Sequence, residues 1–135
     1  MSTQKFVLAT LVGGVTLFAL GGIFYGWLLM DFFMANSGTA TGAMKETPDW
    51  FHLALGELVF AALLTTVLGK WAGVSSAGQG LTVGATFGAL LGVAMGLTFL
   101  GVMNISTPMG AMVDVVVGTV RTGLAGAAIG AVLAR

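Results

Sequence analysis

Cysteine is absent from this chain of 135 residues. Its absence excludes disulfides, iron–sulfur clusters, thiolate metal sites and cysteine nucleophiles. Histidine occurs once, at His52, which leaves a zinc site without a second imidazole. The chain also lacks the G-x-S-x-G and H-E-x-x-H motifs of common hydrolases. We therefore expect no metal site, no catalytic residues and no enzymatic activity.

Charge is scarce as well. Charged residues make up 7% of the chain, against about 25% in an ordinary soluble domain. Five acidic and five basic residues give a net charge of zero, so no basic patch is available to bind nucleic acid. Hydrophobic residues make up 57%, and the mean hydropathy is +1.02. A chain with so few polar residues is expected to be covered by a lipid bilayer.

Four long apolar runs account for most of the chain, over residues 6–30, 50–68, 81–103 and 112–134. Each is close to the roughly 20 residues that a helix needs to cross a bilayer. The first run exceeds the roughly 7–15-residue core of a signal peptide, so we interpret it as a retained helix. The runs predict an all-α fold, an integral membrane bundle of four transmembrane helices that forms one domain over residues 1–135.

Basic residues in the connections predict the orientation of the bundle. Lys5, Lys70 and Arg135 fall at one end, whereas Lys45 alone falls at the other. Connections on the cytoplasmic side are enriched in lysine and arginine. We therefore expect both termini in the cytoplasm, in a bacterial cytoplasmic membrane. Tyr25 and the tryptophans are expected to form aromatic belts at the level of the headgroups.

Glycine, with 22 copies, is the most informative residue type. The third run has a glycine at every fourth position, at Gly84, Gly88, Gly92 and Gly96. The fourth run has a similar stripe of small residues, which includes Gly118, Gly126 and Gly130. Residues four apart share a helix face, and small faces let helices pack closely in lipid. We expect the third helix to lie centrally, against the fourth and the first, or one stripe to bind another subunit.

Three ionisable residues fall within the runs: Glu57, Asp114 and Arg121. An arginine at the centre of a membrane helix costs about 2.5–3.5 kcal/mol, so Arg121 needs a partner. Counted from the predicted outer face, Glu57 and Arg121 lie at depths of about 12 and 16 Å. Asp114 precedes Arg121 by two turns on the same face. We predict a buried charge cluster, either a static ion network or an ion- or proton-coupled site.

His52 and Asp31 lie at a similar depth near the predicted outer face and are candidate ligand residues. An interfacial histidine is expected to bond to Asp31 or to a backbone carbonyl. The alternative is that His52 is the axial ligand of a haem or a chlorophyll-type pigment; otherwise no cofactor is predicted. His52 and Glu57 are five residues apart, so we expect them on different faces of their helix.

The segments Phe24-Tyr25-Gly26-Trp27 and Gly88-Ala89-Leu90-Leu91-Gly92 resemble those of uncharacterised small four-helix bacterial membrane proteins. The resemblance covers the whole chain and implies no particular activity. Small multidrug transporters and fluoride channels are similar in size. The transporters have an essential glutamate in the first helix, and the channels have a glycine–threonine–phenylalanine signature in the third. Neither feature is present here.

Two functions are compatible with these observations. The first is a structural or accessory subunit of a larger membrane complex, which packs through its glycine-rich faces against other membrane subunits. The alternative is a small transporter or channel, a homo-oligomer that uses Glu57, Arg121 and Asp114. The first explains the short connections and the many glycines, and the second explains the ionisable residues within the runs.

Overall fold

The computed structural model describes all residues from Met1 to Arg135, and every regular element in it is a helix. Four helices are long and apolar enough to cross a membrane: Thr3–Leu28, Trp50–Trp71, Ala77–Val102 and Pro108–Leu133. The predicted all-α bundle of four membrane helices is thereby confirmed. The largest differences from the predicted bounds are at the N-termini of the third and fourth helices, which begin about one turn earlier.

The first two spanning helices are not α-helical throughout. The elements are α1 (Thr3–Ile23), π1 (Phe24–Leu28), α2 (Met30–Ala35), α3 (Trp50–Thr65), π2 (Thr66–Trp71), α4 (Ala77–Val102) and α5 (Pro108–Leu133). The wider π-helical turns π1 and π2 extend α1 and α3 and complete the first and second spans. The short helix α2 lies beyond the predicted first run, and neither it nor the π-helical turns were predicted.

Each spanning helix begins at a polar residue that caps it. Four side chains each accept a hydrogen bond from the backbone N–H three residues on: Ser2 from Lys5 at 3.1 Å, Asp49 from His52 at 3.2 Å, Ser76 from Gln79 at 3.2 Å and Thr107 from Gly110 at 3.0 Å. Such caps satisfy backbone donors that have no partner in the first helical turn. The polar residues at the ends of the apolar runs therefore fix where the helices begin.

The bundle has two chemically different ends. At one end, here called the termini end, the Lys5 ammonium donates to the carbonyl oxygens of Leu133 and Arg135 at the C-terminus of α5. The other end, the distal end, contains the connections 36–49 and 103–107. There the Thr107 hydroxyl donates to the Asn36 side chain at 2.7 Å, which joins the two connections.

The central helix is α5, not α4. It packs against both α4 and α1, and it has nine buried residues where α4 has only three. The prediction that the third spanning helix is central was therefore wrong. Its glycine stripe makes one close, one-sided contact with α5, whereas α5 has small residues on several sides and can approach two helices at once.

Glycines set the distance between α4 and α5 near the termini end. A Cβ atom at Gly84 would lie 2.5 Å from the Thr122 carbonyl oxygen, so the two backbones are in direct contact. The same stripe is looser toward the distal end, where a Cβ at Gly92 would be 3.6 Å from its nearest neighbour and one at Gly96 3.9 Å. At Gly118 nothing lies within 4 Å. Only part of the glycine stripe therefore makes close contact.

Two adjacent glycines place α1 between α5 and α3. A Cβ at Gly13 would lie 2.7 Å from the Ile129 side chain of α5, and one at Gly14 would lie 2.7 Å from the Leu58 side chain of α3. Because neither glycine has a side chain, α1 packs closely against both helices. The three helices therefore share an interior in which a side chain of α5 can reach both α1 and α3.

Candidate functional site

Arg121 and Glu57 form an ion pair where α1, α3 and α5 meet. The Arg121 Nη2 atom donates to Glu57 Oε1 at 2.7 Å and to the Leu17 carbonyl oxygen at 2.8 Å. The two side chains are only 14% and 18% exposed. The structure thus brings together these two members of the predicted cluster. The pair ties three helices into one register, because each helix supplies one of the bonded groups.

Gly21 provides the space that the arginine occupies. A Cβ atom at Gly21 would lie 3.0 Å from Arg121 Nη2 and 3.5 Å from Cζ. The guanidinium group therefore lies flat against the backbone of α1 at the point where that helix has no side chain. The sequence analysis did not identify Gly21 as part of the site. The helix that supplies this space was identifiable only once the packing of α1 on α5 was known.

Asp114 joins the cluster through Tyr25 rather than directly. The Tyr25 hydroxyl donates to Asp114 Oδ1 at 2.5 Å, and Arg121 Cζ lies 5.5 Å from the centroid of the Tyr25 ring. A guanidinium at this distance is attracted to the face of an aromatic ring. No ion pair forms between Asp114 and Arg121. Tyr25 therefore lies between the two charged groups, and the expected direct contact was not found.

Tyr25 is the site residue that the sequence analysis assigned to another role. It lies in π1, the π-helical turn that ends the first span. We had expected it in an aromatic belt. One signal was available, since Tyr25 is the only tyrosine among many phenylalanines, and a half-buried hydroxyl normally needs a hydrogen-bond partner.

A cleft of about 320 Å³ opens beside the ion pair. Six residues line it: His52, Leu53, Gly56, Glu57, Phe60 and Arg121. The lining extends over about 12 Å along the axis of α3, so His52 lies at the distal mouth and the ion pair lies deeper. His52 and Glu57 thus line the same cleft, although their spacing predicted different faces. The cleft is wide enough to include both, partly because Gly56 has no side chain.

The guanidinium group of Arg121 has donors that the chain does not use. Both hydrogen bonds of Arg121 are made by Nη2, and the Nε atom is buried without a partner. An arginine has five N–H groups, and a buried donor without a partner costs about 1–3 kcal/mol. Nε is shielded from the cleft, so a polar group there can reach only the other guanidinium nitrogens of Arg121.

His52 is paired with Asp49 at the first turn of α3. Its Nδ1 atom lies 2.7 Å from Asp49 Oδ2, and its backbone N–H donates to Oδ1 of the same carboxylate. These hydrogen bonds lower the pKa of the Asp49 carboxyl below its usual value, so the group is ionised at neutral pH. Asp31, one of the two partners expected for His52, is exposed and forms neither a hydrogen bond nor an ion pair, and no backbone carbonyl bonds to the imidazole. The predicted contact between His52 and Asp31 was therefore wrong.

Replacing Tyr25 by phenylalanine tests the link to Asp114. The hydrogen bond to a charged group is worth about 1.5–3 kcal/mol, and we expect the lower value because Asp114 is exposed. The ring beneath Arg121 is retained in this variant. The measurement is the free energy of unfolding in mixed micelles. In an Asp114→Asn background the same replacement should cost much less; an equal cost in both backgrounds would show that the hydrogen bond is unimportant.

No family model, curated protein or solved structure matches the chain. The resemblance to small four-helix bacterial membrane proteins therefore stays a prediction. A fold of this kind supports many functions, so the function has to follow from the chemistry of the site. That site consists of a buried ion pair, an open cleft beside it and an Asp49–His52 pair at the mouth of the cleft.

Proposed function

We propose that the chain is a small transporter or channel in which Glu57 and Arg121 form the ion-responsive site. One observation supports this function over a static role: the Glu57–Arg121 ion pair lines an open cleft rather than a closed interior. An ion pair that serves only to fix helix register is stabilised by complete hydrogen bonding and exclusion of water. Ionisable residues within membrane helices that face a cavity are typical of ion and substrate pathways.

Arg121 has two acidic groups within its surroundings. On one side it bonds to Glu57, and on the other it lies over the ring of Tyr25, whose hydroxyl is bonded to Asp114. Neutralising Glu57 by a proton or another cation removes its attraction for the guanidinium group. Arg121 is then drawn toward Tyr25 and Asp114, and the wall of the cleft changes shape. Two arrangements of one side chain in a packed interior are a suitable element for a two-state switch.

The orientation of the protein is part of this proposal. Lys5 and Arg135 meet at the termini end, and Lys70 lies over the ring of Phe6 nearby. Lys45 is the only basic residue in the distal connections. The bias of basic residues toward the cytoplasm favours a termini end that faces the cytoplasm. In a bacterial cytoplasmic membrane the mouth of the cleft then faces outward.

Proton flux into liposomes tests the proposed function. The purified chain is reconstituted with a pH-sensitive dye inside, and a potassium gradient with valinomycin drives protons across the membrane. We expect the wild-type chain to increase the flux over empty liposomes and Glu57→Gln to reduce it about tenfold. Glu46→Gln, which removes a carboxylate from the exposed distal connection, is the matched control. Wild-type flux in folded Glu57→Gln, or no flux of protons or of any other monovalent cation tested in the same liposomes, would contradict the proposal.

A second candidate function is the accessory subunit of a larger membrane complex. Gly22 and Gly26 lie about one turn apart on the first span, and nothing lies within 4 Å of a Cβ atom at either. A small surface of this kind suits a helix of another membrane subunit or of a second copy. However, the glycines of α4 that first suggested this function pack against α5 in the same chain.

Gentle purification from the native membrane, with a mass-spectrometric inventory, tests the accessory function. We expect a stoichiometric partner that is lost in Gly22→Ile and retained in Gly101→Ile. Gly101 is the matched control because its Cβ position is also open but lies on α4. If the wild-type chain is recovered without other proteins, the accessory function is wrong.

An absorption spectrum of the same sample tests whether His52 binds a pigment.

A further inference from the structure

The imidazole of His52 has one ring nitrogen that the chain does not use. Its Nδ1 atom is 2.7 Å from the Asp49 carboxylate, and a carboxylate only accepts hydrogen bonds when ionised. Nδ1 therefore carries the proton in the neutral ring, and Nε2 keeps a free lone pair. The His52 side chain is 75% exposed and lines the mouth of the cleft. Asp49 thus holds a base in a defined tautomer at the place where the cleft opens.

The second acid–base group of the cleft lies deeper along the same helix. Glu57 follows His52 by five residues, which is about 7.5 Å along the axis of α3. Glu57 Oε1 accepts the hydrogen bond of Arg121, and no group in the chain donates to Oε2. Gly56 leaves open space on the wall between the two residues. A cleft of about 320 Å³ has room for several water molecules, so water can connect His52 to Glu57.

We propose that His52, oriented by Asp49, is the proton acceptor at the mouth of the cleft and passes protons through water to Glu57. The proton is then the ion to which the Glu57–Arg121 pair responds. This inference rests on the proposed function, because it assigns the coupling ion and the mouth residue of the same site. Among titratable side chains, histidine is the one best suited to exchange protons near neutral pH.

The proton transfer balances without a further reactant. A hydronium ion at the mouth gives its proton to His52 Nε2 and becomes water, and the resulting imidazolium is stabilised by the Asp49 carboxylate. The imidazolium then gives this proton to a water molecule in the cleft, which passes one on to Glu57. The ion pair becomes a neutral carboxylic acid beside a guanidinium that is still bonded to the Leu17 carbonyl oxygen. His52 returns to its neutral form with the proton on Nδ1.

Few other charges influence this route. The lining of the cleft comes from α3 and α5, and its ionisable members are His52, Glu57 and Arg121. Asp49 at the cap of α3 is the only carboxylate bonded to the imidazole. The helices α1 and α4 contribute no side chain to the lining. Asp49 at the mouth and Glu57 below it are therefore the acidic groups on this route.

Because the chain has one histidine, ¹⁵N NMR of the full chain in lipid nanodiscs reports on His52 alone. We expect the neutral ring to carry its proton on Nδ1. Asp49→Asn should also populate the Nε2-protonated tautomer, because an amide can donate to Nδ1 as well as accept from it, while the Glu57–Arg121 pair remains intact. Glu46→Gln should leave the tautomer unchanged.

Proton uptake by the reconstituted chain gives a second readout, which does not depend on whether Glu57→Gln folds. His52→Gln and Asp49→Asn should each slow uptake about threefold or more from the distal side, whereas Glu46→Gln should not. A neutral ring protonated on Nε2, or uptake that is unchanged in both variants, would overturn the inference. If Glu57→Gln abolishes flux and the His52 variants do not, the proposed function stands and the role of His52 is wrong.

Discussion

Replacing Gly84 by alanine is expected to lower the free energy of unfolding by about 1–3 kcal/mol. The added Cβ atom would lie 2.5 Å from the Thr122 carbonyl oxygen and 3.1 Å from the Gly126 Cα atom. Both neighbours are backbone atoms, so α4 has to move away from α5 along the closest part of their contact. Helix association in lipid depends on close packing rather than on the hydrophobic effect, which makes such a separation costly.

The glycine stripes of α4 and α5 supply one matched control each. A Cβ atom at Gly92 would be 3.6 Å from Val115, an ordinary contact, and one at Gly118 would meet nothing within 4 Å. Alanine is favoured over glycine inside a helix by about 1 kcal/mol in soluble hosts, so Gly92→Ala and Gly118→Ala should be neutral or stabilising. Unfolding in mixed micelles by added detergent measures all three. Equal effects at Gly84 and Gly92 would show that the close contact with α5 is not a main source of stability.

Replacing Arg121 by methionine is expected to cost about 3–5 kcal/mol of unfolding free energy. The single replacement leaves Glu57, which is mostly buried between α3 and α5, without its partner. It also removes the donor to the Leu17 carbonyl oxygen. A buried charge without a partner is the costly state, whereas removing both charges restores much of the stability.

A double-mutant cycle measures this coupling. We expect Glu57→Gln combined with Arg121→Met to be more stable than Arg121→Met alone, with a coupling energy of about 1–3 kcal/mol. Glu46→Gln combined with Arg121→Met is the control, because Glu46 lies in the exposed distal connection. Additive effects for Glu57 and Arg121 would mean that the ion pair does not form in the membrane. An Arg121→Met variant with normal folding and normal flux would contradict both the structural and the functional role of the pair.

The sequence was sufficient to predict the four spanning helices, since crossing a bilayer requires long apolar runs whatever the packing. It also predicted Glu57 as one of two acidic partners of Arg121, because a buried arginine needs a carboxylate at a similar depth. Asp114, the other predicted partner, bonds to Tyr25 instead. Both predictions depend on free-energy costs that one residue, or one apolar run, has in the membrane regardless of its neighbours. They did not require knowledge of which helices are neighbours.

The details that the sequence did not reveal all depend on packing. The positions of Gly21 and Tyr25 beside Arg121 follow from the contact of the first span with α5, and Tyr25 lies in π1, a π-helical turn that was not predicted. The glycine stripe of α4 indicated close packing, but it did not indicate that the close contact would be with α5 on one side only. The cleft beside His52 and Glu57 is lined by residues of α3 and α5, which are far apart in the sequence. No periodicity in the chain specifies that space.

The accessibility of the cleft to water is the central claim, and the absence of cysteine makes it directly measurable. Single cysteines are introduced at Gly56, which lines the cleft, and at the adjacent Leu55, which lies at the same depth but is outside the lining. Each variant is treated in lipid vesicles with a charged, membrane-impermeant thiol reagent, which modifies only cysteines that water reaches. We predict that the reagent modifies Gly56→Cys at least about ten times faster than Leu55→Cys. Equally slow modification of both would show that the cleft is filled by lipid or closed, and would contradict an ion pathway to Glu57 and Arg121.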